Sequence, residues 1–199
     1  MNQVILIIPA FNDEKNIKRV VDNLIRNYPD LDYVVVNDGS TDSTERILRD
    51  GGYNHITLPV NLGLAGCFQT GMKYAWEKGY SCAVQFDGDG QHRAEYVAEM
   101  KAKMDEGYSI VIGSRFVNHK KNYSLRMVGS RLIGLAIWLT TGARVSDPTS
   151  GMRIFDREMI EKFAYRMNYG PEPDTISLLI HQGAKVAEGP VLIDERKGG

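Results

Sequence analysis

The first apolar stretch of the chain, VILIIPAFNDE at residues 4–14, ends abruptly in a proline and a cluster of polar residues. The run from Val4 to Ile8 is short, rich in isoleucine and bounded by Pro9, a pattern typical of a buried strand. Four similar apolar runs predict further strands, at residues 33–36, 55–58, 82–86 and 110–112. Helical patterns lie between or after them, at residues 14–27, 43–50, 64–78 and 94–106, and a further helix is predicted near residues 125–141. This alternation predicts an α/β fold with a mostly parallel sheet and helices on both faces.

Polar clusters follow the first, second and fourth predicted strands. Their sequences are PAFNDE at 9–14, NDGSTD at 37–42 and DGDGQ at 87–91. Ligands of open parallel sheets bind beyond the carboxyl ends of the strands, so we expect these clusters to form a ligand site. Some of the same residues are also expected to cap helices: Asn12 or Asp13 the first helix, and Thr41, Asp42 or Ser43 the second.

Bulk composition limits the classes of function. A chain of 199 residues with 43% hydrophobic content is expected to form a single domain, residues 1–199. The formal net charge of -1 gives no overall basic field, which argues against a nucleic-acid partner. Two cysteines without metal-ligand spacing predict reduced, packed thiols and a cytoplasmic protein. Neither a signal peptide nor a spanning helix is predicted, because Val4–Ile8 and Ile133–Leu139 are too short.

The sequence DGDGQH at 87–92 predicts a metal site. Two carboxylates one residue apart at a strand end repel each other unless a cation neutralises them, and Mg²⁺ or Mn²⁺ prefers such oxygen ligands. The alternative is a simple Asp-Gly turn whose acids are solvated or cap the next helix. A phosphatase of the haloacid dehalogenase type is disfavoured, because Gln91 stands where a threonine is wanted and the run follows the fourth strand.

Asp38 follows the second predicted strand, where its carboxylate could accept hydrogen bonds from a ribose or a base, or belong to a capped turn. Together with the clusters at 8–14 and 87–92, the segment around Asp38 resembles the family 2 glycosyltransferases of GT-A fold. Further motifs resemble the polyprenyl-phosphate sugar transferases of the dolichol-phosphate mannose synthase group, namely NLGLAG at 61–66, GSR at 113–115, DPTSGMR at 147–153 and ER at 195–196. The likeness spans essentially the whole chain.

The resemblance implies a Rossmann-like GT-A fold and assigns roles to individual residues. Those expected to line the nucleoside and diphosphate site are Pro9, Ala10, Phe11, Glu14, Asp38, Asp87 and Gly88. Those expected to surround the metal are Asp87, Asp89 and Gln91. Arginines expected to face phosphate groups, where a guanidinium can bond bidentately, are Arg115, Arg126 and Arg196.

Family 2 enzymes invert the anomeric centre, so the resemblance implies a single displacement from a UDP-, GDP- or dTDP-sugar. With a polyprenyl phosphate acceptor the nucleophile is already anionic and arginines are expected at its site. With a glycan hydroxyl a carboxylate must take the proton, and Glu172 or Asp174 is the candidate base. Both could instead be helix-entry residues, since proline and acids favour a first turn. Trp138 could likewise belong to the core or contact a lipid.

Two other classes are less favoured. A sugar-phosphate nucleotidyltransferase would carry a Gly-rich basic loop where PAFN stands at 9–12, and a binding or scaffold subunit would have no need of Asp87, Asp89 and Gln91. The resemblance also predicts a C-terminal tail beyond residue 199, because the family's terminal motif usually continues after the Glu-Arg pair. Peripheral association with the inner face of a membrane, and a homo-oligomer, are compatible with these features.

Overall fold

The computed structural model describes residues 4–86, 93–114 and 125–191, with the backbone alone at 125–128. Within these residues seven strands form one sheet in the order β3-β2-β1-β4-β6-β5-β7. The strands are β1 (Val4–Ala10), β2 (Asp32–Asn37), β3 (His55–Thr57), β4 (Cys82–Gln85), β5 (Ile110–Ser114), β6 (Arg153–Asp156) and β7 (Val186–Pro190). Strand β6 runs antiparallel to β4 and β5, and every other neighbouring pair is parallel. The predicted α/β class is confirmed.

Helices cover both faces of the sheet, as the sequence predicted. They are α1 (Ile17–Asn27), α2 (Thr44–Asp50), α3 (Gly63–Glu77), α4 (Val97–Asp105) with a preceding 3-10 turn (Ala94–Tyr96), α5 (Leu125–Thr141), α6 (Arg157–Tyr165) and α7 (Pro173–His181). One face packs around Phe68, Phe155 and Phe163, whose rings meet edge to face at 5.1–5.4 Å. The other packs around Leu24, Leu48 and Met100.

The apolar run that opens the chain lies at the centre of the sheet. Successive side chains of a strand point to opposite faces, so Ile5 and Ile7 enter one core cluster and Leu6 and Ile8 the other. All four are fully buried, which explains why the run is continuously apolar rather than alternating. Helix α3 approaches this strand closely: a Cβ at Gly71 would lie 2.3 Å from Ile7 Cγ2.

The start of α1 differs from the prediction. The helix begins at Ile17, its N-cap Asn16 makes no side-chain capping bond, and neither Asn12 nor Asp13 is the cap. The predicted start at Glu14 is therefore wrong. At α2 the N-cap is Ser43, again without a side-chain capping bond, while Asp42 Oδ1 accepts from Thr44 N at 2.9 Å.

The second half of the chain is more regular than the sequence suggested. Helix α5 has the predicted bounds, but β6, α6, α7 and β7 were not predicted. Both cysteines, Cys67 and Cys82, are free and buried. Among the described residues, no helix has the length and apolar character needed to cross a bilayer.

Candidate active site

The carboxyl ends of the parallel strands lie along one edge of the sheet. Each of the three described segments of the chain ends near this edge. Phe86 N donates to Ile7 O at 3.0 Å, next to the end of β1. Val191 N donates to Ser114 O at 3.0 Å, at the end of β5. The segments that follow Phe86, Ser114 and Val191, residues 87–92, 115–124 and 192–199, lie outside the described residues.

Many of the predicted site residues belong to those three segments. They are Asp87, Gly88, Asp89, Gln91, Arg115 and Arg196, and the side chain of Arg126 also lies outside the described residues. Within the part of the chain that the structure describes, no group of three or more His, Cys, Asp or Glu side chains is arranged to hold a metal. The structure does describe the residue that precedes each of these segments. These residues, Phe86, Ser114 and Val191, lie at the same edge of the sheet.

The loops after β1 and β2 are bound to each other by reciprocal hydrogen bonds. Asn12 Oδ1 accepts from Thr41 N at 2.8 Å, and Asn12 N donates to Ser40 Oγ at 2.9 Å. Glu14 Oε2 accepts from Ser43 N at 3.0 Å, while Glu14 N donates to an oxygen of Asp42. The side chains of Asn12, Glu14, Ser40 and Asp42 therefore fix the relative position of the two loops.

Asn12 and Glu14 reach their partners because the first loop turns sharply. Asn12 has φ of 50°, a left-handed conformation that asparagine tolerates better than most residues. Along this loop Pro9 is half-buried and Ala10 is buried, whereas Phe11 and Glu14 are exposed. The loop therefore presents an aromatic ring and a carboxylate to solvent beside the second loop.

Asp38 holds a third loop against the first two. Its carboxylate is 3% exposed and accepts from Leu62 N at 2.7 Å and from Gly63 N at 2.9 Å. Gly39, with φ of +63°, lets this loop come close, because a Cβ there would lie 2.8 Å from the carbonyl carbon of Val60. An ionised carboxylate has acceptor sites beyond these two, so Asp38 can also accept from a ligand hydroxyl.

A polar network at the end of β2 supports the same loops. Asn37 is buried, and its amide donates to Glu45 Oε2 at 2.9 Å while its oxygen accepts from Ser40 Oγ at 2.5 Å. The Thr57 hydroxyl also donates to Glu45. The bond from Thr57, followed by that from Asn37, lowers the pKa of the Glu45 carboxyl below its ordinary value. A charged Glu45 therefore stabilises this corner of the site.

A second group of residues closes the other side of the edge. Glu188 Oε1 on β7 accepts from Ser146 N at 2.9 Å and from Asp147 N at 2.8 Å, which fixes the loop before β6. Asp147 is fully buried, and its carbonyl accepts from Ser150 N at 3.2 Å, which closes a turn at Asp147-Pro148. Arg153 Nη2 donates to Pro148 O at 2.8 Å in the same loop.

This loop borders a cavity of about 370 Å³. Its polar lining includes Gln85, Arg153, Glu172 and Ser150, with Leu64 and Ile133 among its apolar residues. Gln85 and Arg153 are directly opposite each other on the paired strands β4 and β6. In the sequence, Gln85 precedes Asp87 by two residues. Buried Gln85 Oε1 has no hydrogen-bond partner among the described residues.

Both candidate bases lie at the start of α7. Glu172 is the N-cap residue, without a side-chain capping bond, and Asp174 lies in the first turn behind Pro173. This is the helix-entry arrangement that the sequence left open as the alternative. Glu172 nevertheless lines the cavity with Gln85, and so it is the better placed of the two acids.

Helix α5 contributes a buried hydroxyl near its start. Ser130 follows Arg126 by four residues along this helix. The Ser130 side chain is buried, and its oxygen has no hydrogen-bond partner among the described residues. Trp138 on the same helix is 43% exposed, so it is not a core residue.

Sequence reasoning missed Gln85, Arg153 and Glu188. A glutamine closing an otherwise apolar strand, AVQF at 83–86, was a usable signal, since a polar residue in a doubly covered strand needs a partner. Glu188 gave no local signal, because its partners are 41 and 42 residues away.

Comparison with known proteins gives a concordant result. Residues 5–164 match the family model described as glycosyl transferase family 2. The UDP-N-acetylglucosamine–dolichyl-phosphate N-acetylglucosaminyltransferase of Methanococcus voltae is 34% identical over 79% of this chain and 71% of the relative. The polyprenol monophosphomannose synthase of Mycolicibacterium smegmatis is 29% identical over 99% of this chain and 79% of the relative.

Solved structures show the same fold. Glucosyl-3-phosphoglycerate synthase from Mycobacterium tuberculosis, in complex with Mn²⁺, UDP-glucose and phosphoglyceric acid, superposes with a TM-score of 0.69 at 20% identity. The match covers 99% of this chain and 72% of the synthase chain. At this identity the likeness establishes the fold and leaves the substrates open.

Proposed function

The chain belongs to glycosyl transferase family 2 and is a glycosyltransferase, and from this premise we propose that it transfers a sugar from a nucleotide sugar to a polyprenyl phosphate with inversion at the anomeric carbon. The observation that carries the proposal is that Phe86, Ser114 and Val191 lie along one sheet edge. The segments that begin there contain the acidic run, Arg115 and Arg196. Donor and acceptor groups can therefore meet at that edge.

The donor nucleoside is assigned to the loops after β1 and β2. These loops, with the segment that Asp38 holds, are joined by five hydrogen bonds of 2.7–3.0 Å, so their relative positions are fixed before any ligand arrives. In this proposal Phe11 offers its exposed ring to the base, Pro9 and Ala10 form the floor, and Asp38 and Glu14 accept from hydroxyls. UDP, GDP and dTDP all remain candidate carriers.

A divalent ion fits the start of the acidic segment. Asp87, Asp89 and Gln91 supply the oxygen donors that Mg²⁺ and Mn²⁺ prefer, and Gly88 permits a close approach of the backbone. Asp87 directly follows Phe86, which β1 fixes beside the nucleoside loops. When bound there, the ion would neutralise charge on the donor diphosphate as the sugar leaves.

The acceptor is proposed to be a lipid phosphate. The names of the two relatives above include dolichyl phosphate and polyprenol monophosphomannose, both of which are lipid phosphates. A phosphate needs cationic and hydroxyl donors rather than a general base, and Arg115, Arg126 and the unpartnered oxygen of Ser130 are of that kind. The phosphate oxygen attacks the anomeric carbon while the bond to the nucleoside diphosphate breaks, in one displacement.

Transfer to a glycan hydroxyl is the second candidate, and one observation favours it. Glu172 lines the cavity beside Gln85 and its carboxylate makes no capping bond, so it could receive the proton of a hydroxyl acceptor. The two candidates differ in what they require of Glu172. If the acceptor is a lipid phosphate, we expect Glu172→Gln to keep full transfer. If the acceptor is a glycan hydroxyl, we expect this variant to lose transfer.

A panel of nucleotide sugars tests the donor half. Thermal unfolding is followed with UDP-, GDP- and dTDP-sugars, each with Mn²⁺ and with a chelator, since a ligand that binds only the folded state raises the apparent melting temperature. We expect one carrier to raise it when Mn²⁺ is present, and Asp89→Asn to remove the rise. No Mn²⁺-dependent rise with any of the three would refute the donor assignment.

A further inference from the structure

Gln85 is a buried polar residue on a face of the sheet that is otherwise apolar. On that face, Ala83 of β4 lies opposite Phe155 of β6, and both belong to one core cluster. The next opposite pair toward the end of β4 is Gln85 and Arg153, and each is 4% exposed. Burying a polar side chain costs free energy unless hydrogen bonds compensate for the lost water, so each of the two is expected to have a partner.

The two side chains differ in the partners that they have. Arg153 Nη2 donates to Pro148 O at 2.8 Å, which gives the guanidinium a structural role. The side-chain oxygen of Gln85 is buried and has no hydrogen-bond partner in the part of the chain that the structure describes. Since Gln85 lines the cavity of about 370 Å³, a ligand in that cavity is the partner that its amide can acquire.

The lining of this cavity suits a monosaccharide. Leu64, Ile133 and Pro173 form an apolar wall, and Ser150 adds a hydroxyl to the polar side. Ligand pockets, of about 300–1,000 Å³, combine such walls with a few polar groups that fix the orientation of the ligand. A sugar ring has C–H groups on its faces and hydroxyls along its edge, so it can use both parts of the lining.

The strand order places the cavity next to the proposed diphosphate site. Neighbouring strands follow the order β2-β1-β4-β6. The loops assigned to the nucleoside follow β2 and β1, the acidic segment follows β4, and the cavity lies at β4 and β6. A nucleotide sugar has the same order, from nucleoside through diphosphate to sugar. The transferred sugar is therefore the group that this order directs to the cavity.

We propose that Gln85 determines which sugar is transferred, by hydrogen-bonding one hydroxyl of the donor sugar through its side-chain amide. A hydroxyl both donates and accepts, so it can bind either the oxygen or the nitrogen of the amide. A sugar without that hydroxyl leaves the buried amide unpaired and is rejected. This inference rests on the proposed function, because it requires a nucleotide-sugar donor.

Donor analogues that lack single hydroxyls test this role. Titration calorimetry with Mn²⁺ measures the binding of UDP, GDP and dTDP, of their glucose and mannose derivatives, and of each monodeoxy form of the derivative that binds best. We expect the parent chain to bind one monodeoxy form about 10- to 100-fold more weakly than the complete sugar, because a buried polar group loses its partner. The other monodeoxy forms should bind with smaller losses.

Matched substitutions separate selection of the sugar from stability of the fold. Gln85→Met removes the amide and keeps an unbranched side chain, and Gln85→Leu serves as a second variant. Gln69→Met is the control, since Gln69 lies on α3 and its amide donates to Met167 O at 2.8 Å. We expect Gln85→Met to bind the complete sugar and the sensitive monodeoxy form equally, and to bind the nucleoside diphosphate as the parent does. Gln69→Met should discriminate as the parent does.

Three results would overturn the proposal. The first is that the parent binds every monodeoxy form as tightly as the complete sugar. The second is that both Gln85 variants, shown to be folded by thermal unfolding, keep the parent's discrimination. The third is that they weaken binding of the sugar and of the nucleoside diphosphate by the same factor. Loss of transfer to a polyprenyl phosphate, with the discrimination in binding intact, would contradict only the proposed function.

Discussion

Asp38 holds the loop at Leu62 and Gly63 through its carboxylate, and it can also accept a hydrogen bond from a ligand hydroxyl. Replacing Asp38 by asparagine tests both roles. The carboxylate, 3% exposed, accepts from the backbone amides of Leu62 and Gly63 at 2.7 and 2.9 Å. In Asp38→Asn one oxygen becomes an NH₂ group, so one of these amides faces a donor instead of an acceptor. The substitution keeps the shape of the side chain and removes its charge.

The magnitude follows from those two bonds. A hydrogen bond to a charged group contributes about 1.5–3 kcal/mol, and a buried donor left without an acceptor costs about 1–3 kcal/mol. Since the second bond survives in weaker form, we expect the free energy of unfolding to fall by about 2–4 kcal/mol. A domain with about 5–15 kcal/mol of stability would still fold.

Urea unfolding measures the loss. The midpoint should move to lower urea with little change in slope, while Asp30→Asn, at an exposed carboxylate, leaves it in place. Because Asp38 holds the loop beside the proposed nucleoside site, we expect the affinity for the nucleotide to fall as well. A change in unfolding free energy below about 0.5 kcal/mol, the usual range for a surface substitution, would show that the Asp38 carboxylate does not stabilise the loop.

Three further predictions concern the framework of the site. Gly71→Ala should destabilise the protein by about 1–3 kcal/mol through overpacking, because its Cβ would lie 2.3 Å from Ile7 Cγ2. Ile7→Ala is itself destabilising, since Ile7 is fully buried, but the double variant should lose less stability than the sum of the two single losses. Strictly additive losses in urea unfolding would contradict the contact. Glu45 has a lowered pKa in the folded state, so its stabilising contribution is present above its ordinary value of 4.5 and disappears as the pH falls through the folded-state pKa. In unfolding measurements Glu45→Gln should therefore lose stability at neutral pH and approach the parent in acid, and an equal difference at both pH values would be inconsistent with this. Burial, followed by the charge of Asp38, raises the pKa of the Cys67 thiol to about 12, so a disulfide reagent should label it only after unfolding, and rapid labelling of the native protein would contradict its burial.

The strands of the first half were predictable because each is a short apolar run that ends at glycine, proline or acidic residues. The start of α1 was not, although Asn12 and Asp13 are good capping residues. Asn12 and Glu14 instead bind Thr41 and Ser43, 29 residues away, and no local pattern reveals that competition. Because Asn12 and Glu14 are engaged in these bonds, α1 begins at Ile17, three residues after Glu14.

The second half was harder to predict for a related reason. Strand β6 is RIFD, charged at both ends, and it lies antiparallel between β4 and β5. Arg153 is buried there because it donates to Pro148 O, and a buried arginine contradicts the usual preference for exposure. The motifs around Asp38 and Asp87 could be identified in the sequence. The position of Gln85 in the site could be inferred only from the cavity that it lines.

In the proposed function, the segment after Phe86 and the loops held by Asp38 form one metal-dependent transfer site. Its most direct test is transfer of labelled sugar from the stabilising nucleotide sugar to a polyprenyl phosphate, with Mn²⁺ or with a chelator, by the parent chain and by Asp89→Asn. We expect transfer by the parent with Mn²⁺, and little or none with the chelator or with Asp89→Asn, although that variant melts at the parent's temperature in the absence of ligand. Transfer at the parent's rate by Asp89→Asn, or equal transfer with and without the chelator, would contradict it.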